Sequence, residues 1–212
     1  MRGGLVKQNP LTGHYELGPG ALQLGLAALQ QLDPLTEASQ EAAQLAAASD
    51  LSIALAVWGQ LGPTVVRLDE PRYPLHVNLR VGTVMSLFNT ITGRVFAAYL
   101  PEKMVRSMLE DEHRRVVGGT SASFDAPEVQ ALLSEIRATG MGRGVSMPQP
   151  GVNTLCAPVF DAAGHIALVM TMIGPQGVFD AEIDSAAGEL LREHARRTSL
   201  RLGHSVLTTA IG

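Results

Sequence analysis

The sequence predicts an α+β domain, in which helices pack on one largely antiparallel sheet. Hydrophobic residues make up 46% of the 212 residues and charged residues 17%, which is typical of a folded globular chain. Short apolar or alternating runs occur in two groups separated by a helical stretch, and turn residues join neighbouring runs. Parallel strand–helix alternation is missing, and no Gly-rich loop follows a strand as it does in nucleotide-binding folds.

The first predicted elements are a short hairpin and two helices. Two strand-like pieces, residues 5–6 and 15–17, flank a turn that contains proline and glycine. Residues 19–33 carry apolar side chains over much of a helix surface, so we expect this helix to pack on a partner or on another copy of itself. An Ala-rich amphipathic helix follows from residue 34.

The middle of the chain is predicted to form three strands and then three helices. The strands are expected at residues 51–58, 64–70 and 75–82, and the helices at residues 89–100, 101–115 and 125–140. The first two helices separate at Pro101, because a proline disfavours the helical conformation of the residue before it. Asp125 and Glu128 predict a capping box at the start of the third helix, and Gly140 predicts its end.

The last part of the chain is predicted to form strands and one helix. We expect a strand at residues 142–147, a hairpin within residues 150–175, and a terminal helix over residues 179–205. Period-2 alternation places Thr154 and Cys156 on one face of their strand. By the same rule, the following strand presents these residues on one face: Val169, Thr171 and Ile173.

The overall composition argues against several classes of function. A net charge of -4 and a pI near 5.8 give no general attraction to nucleic acid or to anionic membrane. The single cysteine excludes an intrachain disulfide, and no run reaches membrane-spanning length, so we expect a cytoplasmic protein. The six histidines are scattered without the spacing of a zinc site, and neither a metal nor a cofactor is predicted.

Four stretches of the sequence carry a resemblance to a known family. They are NPLTGHYELGPGALQLG, RVGTVMSLFNTITGRVFAAYLP, PGVNTLCAPVFDAAGHIALVMTMIGP and LLREHARRTSLRLG, in this order along the chain. Together they resemble the IclR-type bacterial transcription regulators. The resemblance implies an N-terminal winged helix-turn-helix, a linker helix, and an effector-binding domain similar to the GAF and PAS sensor folds. It also implies a homodimer or homotetramer that binds a promoter and responds to a small metabolite.

The resemblance also implies a division of the chain. Residues 1–18 are similar to the wing hairpin of a winged helix-turn-helix, residues 19–33 to the linker helix, and residues 34–212 to the effector-binding domain. The helices that read DNA in the family are expected upstream of the hairpin, so we expect a truncated start or a protein that has lost DNA reading. Lys7 and His14 in the wing then contact phosphates weakly and do not specify bases.

The ligand of the family lies between the sheet and the start of the helix predicted at residues 89–100. A helix start offers unpaired N–H groups and the positive end of the helix dipole, which suit a carboxylate. Asn89 is the expected cap, residues 90–92 are expected to present free amides, and Gly93 is expected to let the backbone pack closely against the sheet or the ligand. The facing wall is the hairpin, and its apolar residues favour an aromatic or short-chain acid. The predicted ligand-binding residues are Met85, Asn89, Thr90, Ile91, Thr92, Gly93, Thr154, Cys156, Thr171 and Ile173.

Three functions are compatible with these residues. The first is a ligand-responsive regulator that binds a small organic acid and has no catalytic residues. The second is a free-standing small-molecule sensor without DNA binding. The third is a thiol hydrolase that uses Cys156, which requires an exposed thiol of low pKa. A buried cysteine in an apolar strand is far more often inert packing, which argues against the third.

Overall fold

The computed structural model describes residues 4–10, 12–24, 33–70, 79–115 and 123–204. It begins with an antiparallel hairpin of β1, Val6–Gln8, and β2, Tyr15–Leu17, whose strand residues are all exposed. Residues 19–24 are helical, as predicted for the first part of the linker helix, and residues 25–32 lie outside the described residues. Leu22 and Leu24 are exposed on this short helical piece.

The main sheet has five antiparallel strands in the order β4-β3-β7-β6-β5. Its strands are β3, Ser52–Gly59; β4, Gly62–Asp69; β5, Gly142–Gly144; β6, Val152–Phe160; and β7, Ile166–Pro175. Hairpins join β3 to β4 and β6 to β7, whereas the pairing of β3 with β7 brings the two sequence groups together. The predicted α+β class with one antiparallel sheet is therefore confirmed.

In the part of the chain that the structure describes, five helices cover the two faces of this sheet. They are α1, Asp33–Ser49; α2, Ile91–Tyr99; α3, Glu102–Arg115; α4, Pro127–Thr139; and α5, Ala186–Arg201. Alternate strand residues point to opposite faces, so Leu155 and Met170 cluster with Leu45 of α1 and Leu191 of α5. The other face clusters with α2, α3 and α4, through Cys156, Val169, Val95, Leu109 and Leu133. Within the described ranges, no helix has the length and apolarity needed to cross a lipid bilayer.

The prediction of a strand at residues 75–82 is wrong over its described part. Residues 75–78 lie outside the described residues, and residues 79–82 form coil and a turn. The pairing moves downstream of that turn, where Val65 N donates to Thr83 O at 2.9 Å along the edge of β4. The alternating pattern of residues 75–82 thus predicted a segment that pairs with the sheet, but the pairing with Thr83 lies just after the predicted strand.

The capping box predicted for Asp125 is also wrong. Helix α4 starts after Ala126, which makes no side-chain capping bond, while Arg106 of α3 donates to the Asp125 carboxylate at 2.7 Å. An arginine with several donors from another helix competes successfully with a backbone N–H for this carboxylate. The predicted end at Gly140 is correct, since this glycine adopts a φ of 70°.

Two further predicted elements are too long. The terminal helix begins at Ala186, where the Ser185 side chain accepts a hydrogen bond from Gly188 N, and residues 179–182 form coil. The strand predicted at residues 142–147 ends at Gly144, because the chain bends there into a loop. Both differences concern element boundaries and leave the order of the elements unchanged.

Candidate ligand-binding cavity

A cavity of about 210 Å³ lies between one face of the sheet and the start of α2. Strands β3, β6 and β7 form one wall, and the chain from residue 83 into α2 forms another. The loop before β6 contributes two further residues. The lining consists of Ala54, Leu79, Thr83, Val84, Met85, Ser86, Thr90, Ile91, Thr92, Pro148, Gln149, Val152, Thr154, Thr171 and Ile173. None of these described lining residues carries a charged side chain.

Thr90 caps the helix that starts at the cavity. Its Oγ1 accepts a hydrogen bond from Gly93 N at 3.0 Å and donates to Ser86 O at 2.7 Å. The prediction that Asn89 is the cap is therefore wrong: Asn89 is exposed and lies one residue before the cap. Both are common capping residues, and the bond from Thr90 to the Ser86 carbonyl decides between them.

The start of α2 lies against the backbone of the preceding segment. A Cβ atom on Gly93 would lie 2.2 Å from Ser86 O and 2.6 Å from Leu87 O, so only glycine fits without displacement. Leu87 N in turn donates to the buried Glu112 carboxylate of α3 at 3.0 Å. The tightest contacts at Gly93 are thus with the chain before α2, and not with the sheet or a ligand as the sequence predicted.

The opposite wall carries the residues that the alternation predicts. Cys156 pairs with Thr171, and Thr154 pairs with Ile173, across neighbouring strands. Thr92 Oγ1 lies 3.0 Å from Thr171 Oγ1 and 3.6 Å from Cys156 Sγ, and the Cys156–Thr171 distance is 3.4 Å. This triangle of two hydroxyls and a thiol joins α2 to the sheet beneath the cavity.

Cys156 lacks the properties that a catalytic thiol requires. Its side chain is completely buried, and burial raises the pKa of the thiol to about 11 despite hydrogen bonds with Thr171 and Thr92. A nucleophilic cysteine needs an accessible thiolate near neutral pH. The structure therefore disfavours the thiol hydrolase alternative.

The buried thiol leads to a labelling prediction. With a pKa of about 11, roughly one thiol in a thousand is ionised at pH 8. We expect iodoacetamide to alkylate Cys156 in the native protein at least a hundredfold more slowly than in urea-unfolded protein, followed by mass spectrometry. Equal rates in the two states at pH 8 would show that the thiol is reached in the folded protein.

Some hydrogen-bond donors at the cavity have partners within the described protein and others have none. In the described part of the chain, the N–H groups of Ile91 and Thr92 have no hydrogen-bond partner. Ser86 Oγ accepts a bond from Asn89 N at 3.3 Å, and its own proton has no partner among the described residues. By contrast, Thr154 Oγ1 already donates to Met147 O at 3.0 Å. The free donors are thus concentrated around the start of α2.

The predicted site residues separate into two groups. Seven line the cavity: Met85, Thr90, Ile91, Thr92, Thr154, Thr171 and Ile173. The other three, Asn89, Gly93 and Cys156, lie next to the lining without forming it. Lys7 is on the hairpin, where its ammonium lies 3.2 Å from the Glu16 carboxylate, and His14 is exposed there. The described residues include no cluster of side chains that could hold a metal ion.

Several lining residues were missed by the sequence prediction. Val152 stands two residues before Thr154, and Ala54 pairs with Thr171 across β3 and β7, so both follow from the same alternation. Ser86 and Thr83 belong to the stretch next to the misplaced strand. The contribution of Pro148 and Gln149 depends on the path of a loop, for which the sequence gives no periodic signal.

Comparison with known proteins supplies a family context. A family model described as "Bacterial transcriptional regulator IclR C-terminal" matches residues 26–200. The HTH-type transcriptional repressor AllR of Klebsiella pneumoniae is 24% identical over 199 residues, covering 93% of this chain and 72% of that protein. The HTH-type transcriptional regulator KdgR of Dickeya chrysanthemi is 24% identical over 202 residues, covering 95% of this chain and 66% of that protein. This chain is thus shorter than both of these relatives.

A solved structure gives a closer match. The crystal structure of Pseudomonas aeruginosa HmgR is 38% identical in sequence, with a TM-score of 0.74. The match covers 96% of this chain and 80% of that chain. The arrangement of the hairpin, the sheet and its helices therefore has a counterpart in an experimentally determined structure.

Proposed function

Because the chain belongs to the IclR family of bacterial transcriptional regulators, through the C-terminal domain of that family, we propose that its cavity binds a small organic acid. We further propose that the bound acid changes DNA binding by a dimer or tetramer of the regulator. Regulators of this family bind DNA and small-molecule effectors and are oligomeric. The matched relatives are transcriptional regulators rather than enzymes.

The observation that carries the proposal is the start of α2 at the cavity. Ile91 and Thr92 line the cavity, and their N–H groups lack partners among the described residues. A helix start combines such N–H groups with the positive end of the helix dipole, which stabilises an anion without a lysine or arginine. The Ser86 hydroxyl adds a further donor in the same region. These donors support a carboxylate at this end of the cavity.

The rest of the lining supports an apolar ligand body. Aliphatic side chains form much of it, including Leu79, Val84, Met85, Val152 and Ile173. An apolar cavity of about 150 Å³ accommodates a benzene ring, so about 210 Å³ has room for a single ring that carries an acid group. The described lining residues include no carboxylate that could pair with a cationic ligand. An aromatic or short-chain monocarboxylate therefore suits the site best.

The sheet offers a route from the cavity to the N-terminal elements. Ala54 and Ile173 line the cavity, and the residue before each of them faces the other side of the sheet. There, Ile53 and Met172 pack in one cluster with α1, which follows the proposed linker at residues 19–33. We propose that a ligand shifts α1 and, through it, the wing proposed at residues 1–18. Such coupling requires different ligand affinities in the two arrangements.

A free-standing sensor is the second candidate, and the small number of basic side chains on the hairpin favours it. Within its described residues, the hairpin offers phosphates only Lys7 and His14 as basic groups. Reading the gene upstream of Met1 separates the two candidates, since an in-frame helix-turn-helix supports the regulator. If no such segment exists, the sensor without DNA binding is the better description.

Calorimetry with matched ligands tests the proposed function. We expect saturable binding of benzoate and much weaker binding of benzyl alcohol and benzylamine, which have similar bodies and no negative charge. Ser86→Ala is expected to weaken benzoate binding in this cavity, followed by NMR contacts from the ligand ring to Met85 and Ile173, roughly tenfold, because a hydrogen bond to a charged group is lost. Ser107→Ala is the control, since Ser107 is exposed on α3 outside the cavity. Equally tight binding of benzyl alcohol would contradict an acid site.

A further inference from the structure

A second cavity of about 420 Å³ lies at the opposite end of β6 from the first. The described linings of the two cavities have no residue in common. Buried residues form its floor, namely Ala157, Pro158, Ala195 and Ser199. Aromatic and cationic side chains form its walls and rim. The sequence predicts no ligand for this region, and the effector proposed for the first cavity does not occupy it.

The position of the second cavity follows from the length of β5. This strand begins at Gly142 opposite Cys156, so the end of β6 has β7 as its partner on one side and no described strand on the other. Pro158 has no N–H group to leave unpaired at this open edge. Phe160 N donates to Ser199 Oγ at 3.0 Å, and Ser199 Oγ donates to Ala195 O at 2.9 Å. The Phe160 N–H and the Ser199 hydroxyl at the floor therefore have hydrogen-bond partners within the protein. The recess above them is open and largely apolar.

Aromatic rings form one wall of this recess. Tyr99 and Phe160 meet edge to face with centroids 5.1 Å apart, and the His204 ring lies 5.3 Å from Phe160. The Tyr99 hydroxyl donates to Ile136 O at 3.3 Å, so this residue contributes mainly its ring to the cavity. Ring edges and faces in this arrangement suit a flat aromatic guest.

Two arginines one helical turn apart stand at the rim. Arg192 and Arg196 both line the cavity, and no carboxylate is among its described lining residues. Arg196 donates to Glu193 through Nε and Nη2 at 2.8 and 3.0 Å, which leaves Nη1 without a partner in the described structure. Arg192 contacts Glu189, lies 4.0 Å from the Asp184 carboxylate, and donates to Ile183 O at 3.3 Å. Because exposed ion pairs of this kind contribute little stability, an entering anion can replace them at low cost.

We propose that this recess is a second binding site, which takes a small aromatic anion. The ring lies against Tyr99 and Phe160, and the acidic group meets Arg192 and Arg196. A guanidinium group pairs with a carboxylate through parallel N–H bonds, so two such groups at one rim select for negative charge. The site is independent of the first cavity and does not require its occupation.

Benzoate is a suitable probe, because NMR separates the two sites by the protein protons that the ligand ring contacts. We expect intermolecular nuclear Overhauser effects from benzoate to the rings of Tyr99 and Phe160, with saturable titration of those signals. Arg192→Gln combined with Arg196→Gln is expected to weaken this binding roughly tenfold or more. Contacts to Met85 and Ile173 report the first cavity separately, and the double variant should leave them unchanged.

Arg197→Gln is the matched control. Arg197 shares Glu193 with Arg196, at 2.9 Å, but it does not line the recess. The control should therefore bind benzoate at Tyr99 and Phe160 as the unmodified chain does. Missing contacts to these rings, a non-saturable titration, or equal losses in Arg197→Gln and the double variant would each overturn the second site. None of these results would affect binding in the first cavity.

Discussion

Replacing Gly93 by alanine is expected to lower the free energy of unfolding by about 3 kcal/mol, at the upper end of the usual cost of overpacking. The added Cβ would lie 2.2 Å from Ser86 O and 2.7 Å from Leu87 Cα. Both neighbours are backbone atoms, which cannot turn aside as a flexible side chain does. Either α2 or the segment before it must move, and the Thr90 cap and the Glu112–Leu87 bond hold both in place.

Urea denaturation followed by circular dichroism measures this change, and Gly177→Ala is its control. A Cβ at Gly177 meets nothing within 4 Å, so its replacement should change stability by less than about 0.5 kcal/mol. The alanine at residue 93 should also weaken benzoate binding, since the displaced backbone carries the Thr92 amide. If both variants unfold at the same urea concentration, α2 does not approach the chain as closely as the structure shows.

Removing the Glu41 side chain is expected to cost a similar amount, about 3–5 kcal/mol in Glu41→Ala. Glu41 of α1 is completely buried, and its Oε2 lies 2.6 Å from Nδ1 of the buried His194 on α5. Its Oε1 lies 3.0 Å from Arg201 Nη2 without forming a hydrogen bond. Loss of the carboxylate leaves His194 without its partner in a place that water does not reach.

Glu37→Ala supplies the comparison for this prediction. Glu37 lies one turn earlier on α1 and makes an exposed contact with the same Arg201 at 3.4 Å, so its loss should cost less than about 1 kcal/mol. Replacing both Glu41 and His194 by leucine should restore much of the lost stability, because no polar group then remains unpaired. Equal unfolding midpoints for Glu41→Ala and Glu37→Ala would show that the buried pair contributes no more than a surface contact.

Much of the fold follows from the local pattern of the sequence. The antiparallel sheet and the faces of its hairpin were predictable, because period-2 alternation decides which side chains share a face. It placed Thr154 and Cys156 on one face of β6 and Thr171 and Ile173 on one face of β7, whereas the register that pairs them comes from the structure. The order of the helices followed equally well from turn and breaker residues.

What the sequence could not give depends on contacts between distant segments. Asn89 and Thr90 are both good caps, and the carbonyl of Ser86 selects Thr90. Asp125 pairs with Arg106 of another helix, which no local pattern reveals. Gly93 has its close neighbours because the chain folds back on itself before α2, and that return path has no periodic signal.

Titration of ¹⁵N-labelled protein with benzoate, observed at the backbone amides of Ile91 and Thr92, tests the acid site most directly. Both amide protons should shift downfield and saturate together, because a carboxylate accepts hydrogen bonds that these groups otherwise lack. Benzyl alcohol at the same concentration should leave them nearly unchanged. If benzoate binds while both amide signals stay in place, then no carboxylate is held at the start of α2.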